Sequence, residues 1–286
     1  MIAVGNLHWL IQPSPALVGK QAPTSEGERA TRWRAFVSSR HGPHERRLAG
    51  RTQAALRRSQ QAYIDRLGRI LEHRKGLTRS LSFTQWAELF SSLVEREALD
   101  RAARSTISSA MARSYRWGAS KVGLSLSWNP ELSPLDQQIG EMITRVTKTT
   151  ETTIRGIVEN GLAEGLTVNE MQQQIAVSAD FGLPRSLTIA RTETTRAVSG
   201  GSYAAFQDAV SQGVMVRQQW LSARDSAARA THWNPADPDR SLDGQEVAVG
   251  ERFQIPGSHR KALYPGGFGV PGEDINCRCT VIPIVD

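Results

Sequence analysis

The sequence predicts an α+β protein: a mainly helical N-terminal part with long amphipathic helices, followed by a C-terminal helix and a small irregular antiparallel β unit. Three observations carry this expectation. Apolar residues recur every three or four positions through long stretches between residues 48 and 161. Strand-like alternation appears only after Val214, in short runs. Beyond residue 187 the chain concentrates both cysteines, Trp220, Trp233 and a dense set of Gly and Pro, the chemistry of tight turns.

The chain has 286 residues, 39% of them hydrophobic and 22% charged. That is enough to bury a core and unlike the composition of a disordered chain. No run of about 18 apolar residues occurs, so no membrane span and no membrane partner are expected. The N-terminal MIAVGNLHWLIQPSPALVG lacks a basic residue before its apolar part and is a poor signal peptide. With Pro13, Pro15 and Pro23, residues 1–28 read as a flexible arm or docking peptide. Two cysteines one residue apart make no disulfide framework, which points to synthesis in a reducing cytoplasm.

The helices follow in order. From about Leu48 to Lys75, Leu48, Ala55, Leu56, Tyr63, Leu67, Ile70 and Leu71 share one helical face, and Gly76 is the expected stop. Ser82 or Thr84 can cap a second long helix with the stripe Trp86, Leu89, Phe90, Leu93, Val94, Ala98, Ile107 and Met111. Asn-Pro and Ser-Pro in SLSWNPELSP, residues 125–134, mark a boundary between an Arg-rich helical region, 29–127, and a unit spanning 135–286. A third helix is expected from Leu135 to Gly161 on Ile139, Ile143, Val146, Thr150, Ile154 and Ile157. Its many threonines mean that packing must hold it. Thr167 and Glu170 form a capping box that opens a short helix to about Val177. Leu183-Pro184 reads as a break, after which Ser186 begins a helix of roughly twenty residues. Gly200-Gly201 within it predicts close backbone packing or a kink. Strands are expected at Val214–Leu221, around Gly250 within 245–253, and at Thr280–Val285, with Trp220 as a core anchor.

The net charge of +7 is uneven. Residues 29–118 carry 19 Lys and Arg against 7 Asp and Glu, nearly all of the basic residues Arg. Arginine grips phosphate through a planar fork. Arg46, Arg47, Arg51, Arg57, Arg58, Arg66 and Arg69 are therefore candidate contacts for non-specific double-stranded DNA or an acidic protein partner. A plain solvated helix surface with intrahelical ion pairs is the alternative.

Five motifs follow one another in the tail: the helix segment Arg191–Ala197 with Arg191, Glu193 and Arg196; Trp220, Asp225, Arg229 and His232; Leu242-Asp243-Gly244; Tyr264-Pro265; and Asn276-Cys277-Arg278-Cys279. In this order, over residues 187–284, they resemble the phage Mu protein F-like head morphogenesis family of minor capsid, or minor head, proteins. The connection NPADPDRS after Trp233 is longer than the family's usual one. The resemblance implies a minor head protein acting in procapsid assembly, with portal protein and major capsid or scaffolding protein as partners. It also implies residence in the virion, in the head interior or at the portal vertex, and contact with packaged DNA. Family members can carry toxin domains after the motif; with seven residues following Cys279 here, none is expected.

Asp225, His232, Cys277 and Cys279 include ligand types that zinc accepts, and a structural zinc would help hold a small Gly-rich tail together. Against it, Cys-x-Cys is tighter than the usual Cys-x2-Cys knuckle, and thiols also pack as small apolar groups. Asp225, His232 and Asp243 could instead form a metal-dependent nuclease or hydrolase cluster. No nucleophile elbow, HExxH or phosphate-cradling loop accompanies them, so no enzymatic activity is expected. Arg191, Glu193 and Arg196 are expected to form surface pairs on their helix.

Overall fold

The computed structural model describes residues 25–72, 80–91, 93–129 and 135–285. Most of the N-terminal arm, the stop at Gly76 and part of the turn before Leu135 lie outside the described residues, as do the side chains of Leu93 and Val94. Helix α1, Glu26–Phe36, is capped by Ser25, whose hydroxyl accepts from the Glu28 amide at 3.2 Å. A π-turn, Val37–His41, joins it directly to α2, Gly42–Glu72. In that turn the Arg40 guanidinium stacks on Trp117 at 3.4 Å from the ring centre and faces Phe36 at 4.8 Å. Helix α2 thus starts earlier than its apolar stripe suggests, and the stripe residues Leu48, Leu56, Tyr63 and Leu67 are buried.

The second long helix is two helices. α3, Phe83–Leu89, opens with the capping box of Ser82 and Gln85. It ends at Phe90, and α4 runs Leu93–Lys121. Trp86 and Phe90 stack at 5.5 Å, and Phe90 meets Tyr63 of α2 edge-on at 6.1 Å. These ring contacts seat α3 against α2, in place of the continuous amphipathic helix that the periodicity predicts.

α5, Leu135–Glu164, carries the threonine-rich stretch. Thr149, Thr150 and Thr152 each donate to the carbonyl four residues back at 2.9 Å, which satisfies their hydroxyls within the helix. α6, Val168–Val177, starts with the Thr167–Glu170 capping box. Pro184 does not break the chain: it occupies the first turn of α7, Leu183–Ser211, where its missing N–H costs nothing.

α7 runs straight through Gly200-Gly201. A Cβ on Gly201 would stand 2.4 Å from the Met111 carbonyl oxygen of α4, and one on Gly118 of α4 would stand 3.0 Å from the Ala205 Cβ of α7. Ser114 and Ser202 hydrogen-bond at 2.8 Å across the same contact, and the Tyr115 hydroxyl donates to Asp208 at 2.5 Å. The close packing expected of the glycine pair is realised.

After α7 the chain forms β1, Val216–Leu221; β2, Glu246–Ala248; β3, Phe253–Gln254; β4, Lys261–Ala262; a one-turn helix α8, Pro271–Asp274; and β5, Thr280–Val285. β1 lies between β2 and β5, antiparallel to each, and β3 pairs with β4. Trp220 stands opposite Val281. Pro283 lies on β5, an edge strand, where no ladder donor is needed on its outer side.

Two apolar clusters result. The larger runs from Phe36 through α2, α4, α5 and α6 to Val198 of α7, so the Arg-rich helices share a core with the start of the tail. The smaller gathers Phe206, Trp220, Leu242, Phe253, Cys277, Cys279 and Val281 around the sheet. No helix among the described residues is long and apolar enough to cross a membrane. The α4–α7 contact predicts that Gly201→Val lowers unfolding free energy by about 1–3 kcal/mol. Gly156→Ala in α5, where a Cβ meets nothing within 4 Å, should raise it by about 0.5–1 kcal/mol. Urea unfolding of the two variants checks both signs.

Candidate functional site

The centre of the tail is built at the C-terminal end of β1. The Ser222 amide donates to Asp243 Oδ1 at 2.9 Å, and the Ser222 hydroxyl donates to the His232 carbonyl. The Leu242 and Asp243 amides donate to the carbonyls of Thr231 and His232 at 3.0 and 3.1 Å, which closes the longer NPADPDRS connection into a compact loop. His232 therefore points into the smaller core. Its ring meets Trp220 edge-on at 5.6 Å and lies 6.0 Å from Phe268.

Cys277 and Cys279 arrive from the other side. Asn276 adopts φ 60°, a left-handed turn that Asn tolerates, and the chain then extends into β5. In an extended segment alternate residues share a face, so both sulfurs point inward while Arg278 points out to Asp225 at 2.6 Å. Cys277 Sγ lies 3.7 Å and Cys279 Sγ 3.5 Å from His232 Nδ1. The three ligand atoms are mutually within 4.8 Å, and all three residues are buried. On the far side of the ring, Nε2 lies 3.2 Å from Glu273 Oε2, out of line for a hydrogen bond. Glu273 is held in turn by Arg260 at 2.7 Å and by the Thr231 hydroxyl at 3.1 Å.

The electrostatics follow from this geometry. Burial disfavours the imidazolium of His232, but the neighbouring Cys279 and Glu273 outweigh it and raise its pKa above the ordinary value. Burial disfavours the Cys279 thiolate, yet hydrogen bonds from Cys277 and His232 and the His232 charge push the thiol well below its ordinary value. Cys277 moves the opposite way, raised by its hydrogen bond to Cys279 and by burial. A thiolate beside an imidazole is also the composition of a cysteine nucleophile. Here both cysteines are 2% exposed, which leaves no face for a substrate.

The other candidates do not join this group. Asp225 faces Arg278 and the Ala227 amide rather than the sulfurs. Asp243 is taken by the Ser222 amide, by Arg224 and by Arg29 of α1 at 3.3 Å. Asp225, His232 and Asp243 thus have separate partners and do not converge on one point.

The remaining motif residues fasten the tail to the helices. Arg191 pairs with Glu45 of α2 at 3.1 Å and donates to Asn276 Oδ1 at 3.3 Å. Glu193 is 3% exposed, not a surface residue as its helix spacing suggests. Its carboxylate holds Arg145 of α5 at 3.1 Å, Arg196 at 3.3 Å and the Gln138 amide at 3.2 Å. Arg196 donates to the Gly266 carbonyl at 2.9 Å, and Arg229 to that of Ile275. Tyr264 packs on Tyr203 at 5.4 Å and against Gly200, while Gly244 takes φ +83° beside Arg29.

Sequence reasoning missed Glu273, Phe268 and the N-terminal contributors. Trp33 of α1 donates its indole N–H to the Arg278 carbonyl at 3.0 Å. The His41 ring bonds Thr195 at 2.9 Å, and Thr195 donates to the Cys277 carbonyl. Each lies far from its partner in sequence, with no local pattern to mark it.

Of the Arg-rich set, Arg46, Arg47, Arg51, Arg57, Arg58 and Arg69 are exposed along α2. Arg66 is not part of that ridge: it forms an ion pair with the buried Glu95 at 2.8 Å.

Two stability predictions follow from these pairs. Glu193→Ala removes the buried carboxylate that pairs with Arg196 and Arg145 and should cost about 3 kcal/mol. Glu159→Ala, in an exposed pair with Arg155, should stay within about 0.5 kcal/mol; denaturant unfolding compares them. Burial raises the Glu45 carboxyl, but contact with His41 and the charges of His41 and Arg191 outweigh it and hold its pKa below the ordinary value. A depressed carboxyl stabilises the fold above its unfolded-state pKa, and that stabilisation is lost as pH falls through the folded value. Glu45→Gln should therefore flatten the loss of thermal stability below about pH 4.5 while leaving a uniform offset at pH 7.

Comparison with known proteins supplies the context. Residues 152–282 match the family model described as phage Mu protein F like protein. The chain is 30% identical over 130 residues to minor head protein GP7 of Bacillus phage SPP1, which covers 45% of this chain and 39% of that protein. It is 37% identical over 126 residues to NAD(+)--arginine ADP-ribosyltransferase EFV of Enterococcus faecalis (strain ATCC 700802 / V583), over 44% of this chain and 24% of that one. It is 25% identical over 138 residues to the uncharacterized protein YqbB of Bacillus subtilis (strain 168), over 48% and 43%. The chain thus spans less than half the length of these relatives. No solved structure matches it. Residues 152–282, whose motif residues fasten the tail onto α7, are thus similar to the phage Mu protein F-like proteins, and a minor head protein is among the relatives of that stretch.

Proposed function

We propose that this chain is a structural component of a phage head. It would enter the procapsid during assembly in the host cytoplasm and remain in the virion, in contact with portal protein and with capsid or scaffolding protein. The observation that carries this reading is the role of the family residues. Arg191, Glu193, Arg196, Arg229 and Asn276 bind other parts of the same chain, and Glu193 and Arg196, which also border a cavity of about 430 Å³, are engaged in ion pairs and hydrogen bonds there. A residue set used up in internal pairs suits a docking scaffold better than a catalyst. The hydrolase reading loses its support because Asp225, His232 and Asp243 face different partners. A transferase reading rests on a match to about a quarter of one relative and gains nothing from this geometry.

The test is co-expression with the portal, scaffolding and major capsid proteins of the same phage, followed by sedimentation of procapsids. The chain is expected in the procapsid fraction at low copy and only in the free fraction when the portal is omitted. A chain that stays free with the complete set would overturn the proposal.

The exposed ridge on α2 favours a second role alongside the first, contact with genome phosphates. Six arginines acting together predict that log affinity for duplex DNA falls with log salt at a slope of about −5, with little sequence preference. Mobility shifts of the full chain would measure it. Charge reversal of Arg46, Arg47, Arg57 and Arg58 should remove most of that slope, and an unchanged slope would assign the ridge to a protein partner.

A further inference from the structure

We propose that His232, Cys277 and Cys279 bind one zinc ion, with His232 ligating through Nδ1. A tetrahedral zinc with Zn–S bonds of about 2.3 Å and a Zn–N bond of about 2.0–2.1 Å separates sulfur from nitrogen by about 3.5 Å. The two separations here are 3.5 and 3.7 Å, so the side chains already stand where ligands would stand. The short Cys-x-Cys spacing is no obstacle. In an extended segment it places both sulfurs on one face, with the intervening Arg278 directed to the other.

The surroundings fit a metal ligand as well. A ligating histidine commonly has its other ring nitrogen beside a carboxylate, and Glu273 stands 3.2 Å from Nε2. Thr195 holds the Cys277 carbonyl and Trp33 the Arg278 carbonyl, so the ligand strand is fixed from two helices. Trp220 and Phe268 flank the imidazole, and both cysteines are buried. Two thiolates and an imidazole select zinc over the hard cations magnesium and calcium. Among the described residues no fourth acidic, histidine or cysteine ligand joins the three. Asp225 is not a ligand. The site ties the loop after β1 to the start of β5, a structural role independent of any partner.

The test uses the full chain, expressed with zinc in the medium and exchanged into metal-free buffer. Native mass spectrometry and elemental analysis are expected to give one zinc per chain. Replacement by cobalt(II) is expected to produce a thiolate-to-cobalt charge-transfer band and the intense visible spectrum of tetrahedral cobalt. Cys277→Ser, Cys279→Ser and His232→Ala should each lose retained zinc, whereas Asp225→Asn should keep one. Should the ligand variants fail to fold, the wild-type cobalt spectrum and Asp225→Asn decide alone. A folded wild-type chain with neither zinc nor a thiolate–cobalt band would overturn the proposal, as would loss of the metal in Asp225→Asn or its retention without both thiols.

Discussion

Helices α4 and α7 meet at Gly201 more closely than any side chain would allow, since a Cβ there would lie 2.4 Å from the Met111 carbonyl oxygen. That approach makes α7 a fixed post. The larger apolar cluster ends on it at Val198, and the smaller one starts on it at Phe206. Everything beyond the helix, including the sheet and the His–Cys group, is positioned by reference to that post. The dense interior on one face of α7 explains why it stays helical through two glycines whose intrinsic preference disfavours helix.

The family motif on α7 works as a set of fasteners. Arg191 reaches α2 and the Asn276 turn, Glu193 reaches α5, and Arg196 reaches the glycine-rich loop at Gly266. Helix α1 closes over the tail from the other end of the chain through Trp33 and Arg29. A small sheet with short strands and many turns gains little from its own ladder. It is held instead by charged and polar groups from helices that its own sequence does not contain.

The basic surplus of the N-terminal third divides into two populations with different physics. Arg40 and Arg66 are drawn into the structure by aromatic rings or by a buried carboxylate. The exposed arginines of α2 remain in solvent, where their charge acts at long range and is screened by salt.

Local pattern determined a good deal of this protein. The amphipathic stripe of α2, the capping boxes at Ser82 and Thr167, the strand of β5 and the burial of Trp220 all follow from spacing and side-chain chemistry within a few residues. The ordered motifs of the tail likewise carried the resemblance to the phage Mu protein F-like proteins, which residues 152–282 match. Contacts between distant segments decided the rest. Phe90 at the end of α3 packs on Tyr63 of α2, and neighbours on α5 turned Glu193 from a surface residue into a buried one. Asp225 went to Arg278, while His232 turned toward the two cysteines with Glu273 behind it. Periodicity reports which face of an element is apolar, because that is a property of consecutive residues. Which carboxylate meets which cation depends on how those faces pack, and that choice exists only once the chain has folded.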